Sequence, residues 1–161
     1  MKRITLYLAA LLFFTACEKK SECEKIDTSP LVTDQQATLE NTKWKLEGFV
    51  DVEEGCLKRA KPWEDREKYY NYEKHYTLHF TDSVLFGVTT TNNFKATSDI
   101  DYTTYSIQIR LIFSTEVGEV GDGYQYCDIL DEVQSFSLKN NELRLYYNNK
   151  KNYLLFKARQ S

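Results

Sequence analysis

Residues 135–156 have the sequence SFSLKNNELRLYYNNKKNYLLF, in which three successive strands can be recognised. Apolar and polar residues alternate on both sides of Asn140–Asn141, a pattern typical of two half-buried antiparallel strands joined by a tight turn. Asn suits such a turn because it tolerates a positive φ better than most non-glycine residues. After a second polar turn at 148–151, the continuous apolar run 153–156 predicts a strand that is paired on both edges.

The same alternation of period two recurs upstream. It is clearest at 105–114, where large apolar residues alternate with mostly polar ones. Residues 75–81 and 84–88 alternate as well, and Asp82–Ser83 between them has the residue types of a hairpin turn. Residues 44–52 predict the first strand. Together these segments predict a mainly β protein, a curled antiparallel sheet or small β-barrel of about seven to eight strands.

One segment has helical periodicity instead. Its apolar residues recur at i, i+3, i+4 and i+7 and share one helix face: Tyr126, Ile129, Leu130 and Val133. This pattern predicts one short helix near residues 124–134, with Asp122–Gly123 as its start signal. Pro62 and the acidic residues after it favour a second short helix near 62–70, although the Tyr-rich continuation fits an ordered loop equally well.

The composition is that of one folded domain. The chain has 161 residues, 42% hydrophobic and 28% charged, and its 9 Phe, 12 Tyr and 2 Trp can supply a large core. With 21 Lys and Arg against 24 Asp and Glu, the formal net charge is −3, so the chain lacks the basic field of a nucleic-acid-binding protein. We therefore expect no nucleic acid among its partners.

The first sixteen residues have the pattern of a secretory signal peptide. Two basic residues precede the apolar run 4–14, which is too short to span a bilayer, and small residues follow it. The motif FTAC at 14–17 resembles a bacterial lipobox, which implies that Cys17 is diacylated and becomes the mature N-terminus. The alternative is ordinary cleavage after Ala16, with Cys17 left free or disulfide-bonded.

These patterns divide the chain into a lipoprotein signal peptide at 1–16, a lipidated N-terminus with a flexible tether at 17–38, and a β domain at 39–161. The lipid on Cys17 would hold the protein to a membrane of the cell envelope. Because the tether starts with charges of both signs, the sequence leaves open whether an outer-membrane protein of this kind faces the periplasm or the cell surface.

Five motifs of the β domain follow one another along residues 39–156. They are LENTKWKL at 39–46, YTLHF at 76–80, SFSL at 135–138, NELRLYY at 141–147 and NYLLF at 152–156. In this order they resemble the META/HslJ-like family of small envelope lipoproteins, in particular its Bacteroidetes branch. The resemblance implies eight antiparallel strands with a helix, an association with envelope stress, and no established catalytic residues. Residues 90–93 lack the cysteine that the family often carries there, so no role of that cysteine is transferred.

Aromatic residues between the first two predicted strands are the best candidates for binding. Trp63, Tyr69, Tyr70 and Tyr72 stand among charged residues of the loop 55–75, where they could form a platform for a glycan, a hydrophobic ligand or a protein partner. The alternative is that Trp63 and one or two of the tyrosines plug the open end of the sheet.

No metal, cofactor or catalytic residue is expected. His75 and His79 lie four residues apart on one predicted strand face, so their Cα atoms would be about 13 Å apart, too far to chelate one ion. The acidic loop residues lack the alternate spacing of a calcium-binding loop: Asp99, Asp101, Glu116, Glu119 and Asp122. A hydrolase is disfavoured because no nucleophile–base pair can be recognised.

Three cysteines remain once Cys17 is lipidated: Cys23, Cys56 and Cys127. An odd number in an oxidising compartment allows one disulfide and one leftover thiol. We favour a bridge between Cys56 and Cys127, because Cys23 lies on the predicted tether. The alternative is that these cysteines stay as partly buried free thiols.

The sequence therefore predicts a membrane-anchored envelope lipoprotein whose β domain is not an enzyme and has a binding or protective role. The alternative is a lipocalin-like carrier of a small apolar ligand. A carrier needs an interior cavity of roughly 300 Å³ or more, and the many large apolar residues predict a filled interior instead.

Overall fold

The computed structural model describes residues 23–34, 37–61, 74–82, 84–113 and 117–159. In these ranges the chain forms ten strands and one α-helix. The elements are β1 (Glu24–Lys25), β2 (Lys43–Asp51), β3 (Cys56–Arg59), β4 (Thr77–Thr81), β5 (Val84–Val88), β6 (Asn93–Asp101), β7 (Ser106–Phe113), α1 (Gly123–Glu132), β8 (Ser135–Lys139), β9 (Glu142–Tyr147) and β10 (Asn152–Ala158). The predicted mainly β class with a short helix is confirmed.

The strands form one antiparallel sheet that curls into a ring. Its order is β1-β3-β2-β10-β9-β8-β7-β6-β5-β4, and β4 pairs in turn with β2. β2 makes this closure possible because its two halves have different neighbours on one edge. Lys43–Lys45 pair with β4, and Gly48–Asp51 pair with β3. The ring thus contains eight strands, β2 and β4–β10, and the short strands β3 and β1 branch away from it.

The helix α1 covers the weakest seam of the ring. β7 and β8 share a single pair of residues in register, Ser106 and Ser135, so most of this edge of β7 lacks a strand partner. The carboxylate of Asp131 in α1 accepts a hydrogen bond of 3.2 Å from the backbone N–H of Leu111 in β7. The predicted helical face is confirmed, since its four apolar residues are all buried.

Large side chains fill the interior of the ring. Trp44, Tyr76, Phe80, Tyr126 and Phe156 are each no more than 2% exposed. The rings of Tyr76 and Tyr126 meet edge to face, with centroids 5.4 Å apart. This arrangement is favourable for aromatic pairs and leaves the described interior packed with side chains.

A second, smaller apolar cluster lies on the outer face of the ring. It consists of Val50, Leu57, Tyr153 and Leu155, against which Ile26 and two other partly buried residues pack. β10 therefore buries both of its faces, because Leu154 and Phe156 point into the main core. This confirms the prediction of a strand paired on both edges at 153–156, where β10 lies between β2 and β9.

The N-terminal segment 23–34 lies against the sheet. Asp34 donates its backbone N–H to the carbonyl of Leu138 at 2.9 Å, and Leu138 donates its own to the hydroxyl of Thr33 at 3.2 Å. The guanidinium of Arg144 donates to the carbonyl of Ser29 at 2.7 Å. The flexible tether predicted for 17–38 is therefore not what the structure shows for residues 23–34, because their hydrogen bonds hold them to β8 and β9.

The predicted disulfide between Cys56 and Cys127 is wrong. Lys25 in β1 pairs with Cys56 in β3, which places Cys23 beside it, and the structure joins Cys23 to Cys56 with a Cα–Cα distance of 5.4 Å. Cys127 is a buried free cysteine in α1. The prediction failed because it treated the segment around Cys23 as mobile, whereas that segment forms a strand.

Candidate functional site

Hydrogen bonds join the chain on the two sides of residues 62–73, the part of the predicted binding loop 55–75 that contains its aromatic residues. Lys61, the last described residue before this part, donates its backbone N–H to the carboxylate of Asp122 at 2.9 Å. The hydroxyl of Tyr76, just after the loop, donates to the carbonyl of Lys61 at 2.8 Å. Lys45 in β2 donates to the carbonyl of His75 at 2.6 Å. The residues on either side of 62–73 are therefore held together by the core strands and the start of α1.

A buried turn, residues 89–92, lies beside these loop ends and is clamped by one carboxylate. Glu119 accepts hydrogen bonds from the hydroxyls of Thr89 and Thr90 and from the amide of Asn92. The backbone N–H of Thr90 donates to the same carboxylate at 3.2 Å. We call Glu119 with residues 89–92 the acidic clamp. It leaves no room at Gly123, where an added Cβ would collide with the carboxylate of Glu119 and the hydroxyl of Thr90.

The electrostatics of the acidic clamp favour a charged Glu119. Partial burial acts to raise the pKa of Glu119, but the hydrogen bonds from Thr89, Thr90 and Asn92 outweigh it and bring the pKa below its ordinary value. The carboxylate is therefore ionised at neutral pH and serves as the acceptor that orders the turn.

Replacing Glu119 by Gln should destabilise the protein by about 1–2 kcal/mol at neutral pH, since an amide nitrogen then faces hydrogen-bond donors. The contribution of Glu119 is complete above the ordinary glutamate pKa of about 4.5 and is lost as the pH falls through the lower folded-state pKa. Urea unfolding of wild type and variant from pH 7 to pH 3 measures this difference, which should shrink below about pH 4.5. Glu53→Gln, at an exposed turn, is the control. A Glu119→Gln difference that stays constant with pH would contradict the assignment.

Two other acidic residues that were candidate calcium ligands, Asp101 and Asp122, each bind neighbouring groups of the protein. The carboxylate of Asp101 accepts hydrogen bonds from the side chains of Thr103 and Thr104, which lower the pKa of Asp101 to about 2. Asp122 pairs with Lys58 at 3.2 Å. In the described ranges, no group of three or more His, Cys, Asp or Glu side chains is arranged to hold a metal ion.

The two histidines lie in different surroundings. Tyr76 has a φ of 52°, so β4 begins only at Thr77 and His75 is not on the predicted strand face. The Nδ1 atom of His75 lies 3.1 Å from the carbonyl of Thr89, and burial together with the charge of Lys45 lowers the pKa of His75. The Nδ1 atom of His79 lies 3.3 Å from the carbonyl of Thr42.

Several predicted features fall outside the described residues. These are the signal peptide, Cys17, Glu116, the second short helix near 62–70, and the aromatic candidates Trp63, Tyr69, Tyr70 and Tyr72. Of the predicted loop 55–75, the structure describes residues 55–61 and 74–75, and Cys56–Arg59 form strand β3, paired with β2, rather than part of a loop.

A row of outward side chains crosses five strands and was not anticipated from the sequence. Its members are cross-strand partners in register, from β2 through β4, β5 and β6 to β7: Lys43, His79, Phe86, Lys95 and Ile112. We call this set the outer row. Only the register of the sheet shows that these residues are neighbours on one surface.

Two open grooves lie on the outside of the ring. One, of about 470 Å³, adjoins the outer row between Lys43, Lys74, Phe86 and Arg159. The other, of about 330 Å³, runs between the N-terminal segment and the outer face of β8 and β9, with Leu31 among its lining residues. Both differ from the interior cavity of a carrier, because they lie outside the ring.

No protein-family model matches the chain. The chain is similar to a protein of Tannerella forsythia named "Putative lipoprotein", with 27% identity over 168 residues that cover 97% of this chain and 96% of that protein. The resemblance to the META/HslJ-like family is not confirmed by these comparisons.

A solved structure shares the fold. It is a DUF4847 family protein from Bacteroides vulgatus, which superposes with a TM-score of 0.56 and 12% sequence identity over 76% of this chain and 96% of that one. Among the described residues of this chain, no helix is both long and apolar enough to cross a membrane.

Proposed function

We propose that this protein is a lipoprotein of the bacterial cell envelope, anchored by acyl chains on Cys17. The motif at 14–17 has the order of a lipobox, and the relative from Tannerella forsythia, similar over nearly its whole length, is named as a lipoprotein. The disulfide between Cys23 and Cys56 supports an oxidising compartment outside the cytoplasm.

Metabolic labelling with a fatty-acid analogue tests the anchor. Wild-type protein expressed in a bacterial host should incorporate the label and fractionate with membranes, because two or three acyl chains bind a bilayer firmly. Cys17→Ala should lose the label, whereas Cys127→Ala, at a buried cysteine within α1, should keep it. Equal labelling of wild type and Cys17→Ala would refute lipidation at this residue.

We also propose that the β domain binds a protein or glycan partner through the loop 55–75. The observation that carries this proposal is the hydrogen bond of 2.8 Å between the hydroxyl of Tyr76 and the carbonyl of Lys61, which joins the two sides of the aromatic part of the loop, residues 62–73. A loop with fixed ends loses less conformational freedom when it binds, so more of the contact energy appears as affinity. Trp63, Tyr69, Tyr70 and Tyr72 are the proposed contact residues.

The described chemistry supports a role other than catalysis. Burial, together with nearby carboxylates, raises the pKa of Cys127 to about 12, so this thiol is not a nucleophile at neutral pH. The Nδ1 atom of His75 is hydrogen-bonded to the carbonyl of Thr89. The packed interior favours a binding surface over the alternative of a lipocalin-like carrier.

Arrays of glycans and of envelope peptides test the loop. Binding by the wild-type domain should fall at least tenfold in the triple variant Trp63→Ala, Tyr69→Ala and Tyr72→Ala, since aromatic residues dominate interfaces of this kind. Tyr124→Ala removes a tyrosine that is 60% exposed outside the loop and should leave binding unchanged. Binding that survives the triple variant would refute the loop as the contact surface.

A further inference from the structure

The outer row, Lys43, His79, Phe86, Lys95 and Ile112, combines exposed apolar side chains with cations. Phe86 is 46% and Ile112 is 53% exposed, although both are large apolar residues. Each is the register partner of Lys95, which lies between them. With neighbouring strands about 4.8 Å apart, Phe86 and Ile112 stand roughly 10 Å from each other on one surface.

Within the described part of the chain, the lysines at this surface have no carboxylate partner, unlike four of the cations elsewhere on the sheet. Lys58, Arg59, Arg144 and Lys157 each pair with a carboxylate at 3.2 Å or less. By contrast, across the ranges that the structure describes, Lys43, Lys74 and Lys95 form no ion pair. The outer row itself contains no acidic residue, although the whole chain carries a net charge of −3. The charges of Lys43, Lys74 and Lys95 are therefore not offset by an ion pair with any described residue.

We propose that the outer row is a membrane-docking surface that binds the anionic headgroups of a phospholipid bilayer. Phe86 and Ile112 enter the headgroup region, and Lys43, Lys74 and Lys95 lie against the phosphates. Exposed aromatic or aliphatic side chains surrounded by lysines are the combination that interfacial binding requires. A soluble polyanion would use the lysines but would gain nothing from Phe86 and Ile112.

The geometry of the chain allows this docking. The proposal rests on the proposed lipid anchor, which brings the domain close to a bilayer. Cys23 is fixed beside the end of β2 that is opposite Lys43, a separation of about 26 Å along the strand. The six residues from Cys17 to Cys23 can span at most ~22 Å. Because this reach is shorter than the 26 Å separation, an acylated Cys17 and the outer row meet the same membrane when β2 lies along the bilayer or is inclined to it, rather than standing perpendicular to it.

Vesicle co-sedimentation of the processed chain, residues 17–161 with Cys17→Ser, tests the surface without any acyl chain. Both apolar clusters are built from residues 26–158, so this chain retains the whole described core. It should bind phosphatidylcholine vesicles that contain about one third phosphatidylglycerol, bind pure phosphatidylcholine at least tenfold less, and lose binding at high salt. Equal binding to both kinds of vesicle would overturn the proposal.

Matched variants locate the surface. Lys43→Gln with Lys95→Gln should lower the partition coefficient about 30-fold, since each basic residue near an anionic surface contributes about fivefold. Lys139→Gln with Lys151→Gln makes the same charge change at exposed positions in β8 and next to β10, and should have less than a twofold effect. An equal loss in both pairs would show a diffuse charge effect and overturn the assignment.

The Phe86→Ser variant distinguishes binding to a lipid bilayer from binding to polyanions in general. It should weaken vesicle binding about tenfold, because an apolar side chain leaves the headgroup region, and should leave binding to dextran sulfate unchanged. If vesicle binding is insensitive to Phe86→Ser, the surface recognises polyanions in general and the membrane proposal fails. Because the acyl chain is absent here, loss of vesicle binding and loss of fatty-acid labelling at Cys17 report independently on docking and on the anchor.

Discussion

In the Trp44→Ala variant we expect the free energy of unfolding to fall by about 3–5 kcal/mol, among the largest effects of a single core truncation. Trp44 is 2% exposed and lies where the ring closes, paired with Leu78 of β4 on one edge and with Ala158 of β10 on the other. Its indole N–H donates to the carbonyl of Leu39 at 3.2 Å. Truncation thus opens a cavity at the seam and leaves a buried carbonyl without its donor.

Urea unfolding followed by far-ultraviolet circular dichroism measures this loss, since the signal does not depend on the tryptophan that is removed. Phe86→Ala is the control, because it truncates an aromatic residue on the exposed outer row and should cost about 1 kcal/mol or less. If Trp44→Ala costs no more than Phe86→Ala, Trp44 does not hold the closure of the ring.

Removing the disulfide should lower the free energy of unfolding by an amount similar to that expected for Trp44→Ala. Cys23 and Cys56 are 33 residues apart in the chain. In the chain-entropy model, a disulfide that closes a loop of this length stabilises the folded state by about 3–4 kcal/mol, because it restricts the unfolded chain. We therefore expect Cys56→Ser to lower the free energy of unfolding by about this amount. The same loss should appear when wild-type protein is treated with a reductant, and the reductant should have no further effect on the variant.

Variants that each replace one cysteine distinguish the observed disulfide from the predicted one. With a bridge between Cys23 and Cys56, Cys23→Ser abolishes the response to reductant, whereas Cys127→Ala retains it. The opposite result, a response that survives Cys23→Ser and disappears in Cys127→Ala, would establish a bridge to Cys127. Mass spectrometry of a non-reducing digest identifies the linked peptides directly.

The parts of the fold that were predicted correctly are those with a strong local pattern. The turn at Asn140–Asn141 was predicted from residue type, and Asn140 has a φ of 54° between strands whose last pair is Lys139 and Glu142. The helical face of α1 was predicted from its period, because the same apolar residues that define the period are buried. In these segments, neighbours along the chain are enough to determine the structure.

β1, β3 and β6 lacked such a pattern. β1 has two residues and β3 has four, which is too few for a periodic signal. β6 alternates regularly in burial, but its inward positions include the small Ala96 and the polar Ser98. The sequence therefore showed no row of large apolar residues there, although the strand pairs with β5 and β7 along its length.

The candidate sites were harder to predict than the strands, because they are formed by residues that are far apart in the sequence. From the sequence, Glu119 was a candidate only for a calcium site. In the structure, its hydrogen bonds to Thr89, Thr90 and Asn92 connect positions 27 to 30 residues away. The outer row is assembled from five strands, and its members lie on different strands from Lys43 to Ile112. Such groupings arise from register, which local patterns do not encode.

By itself, the sequence determined the signal-peptide and lipobox pattern, the mainly β class, the short helix and the identity of most core residues, because each of these follows from residue types within a few positions of one another. Only the tertiary structure decided how the ring closes through β2, which cysteines pair, how the N-terminal segment lies on the sheet, and which cations meet Phe86 and Ile112 on the outer face. These features require residues far apart in the chain to meet. The free energy that selects such contacts comes from packing and register over the whole ring rather than from any local stretch.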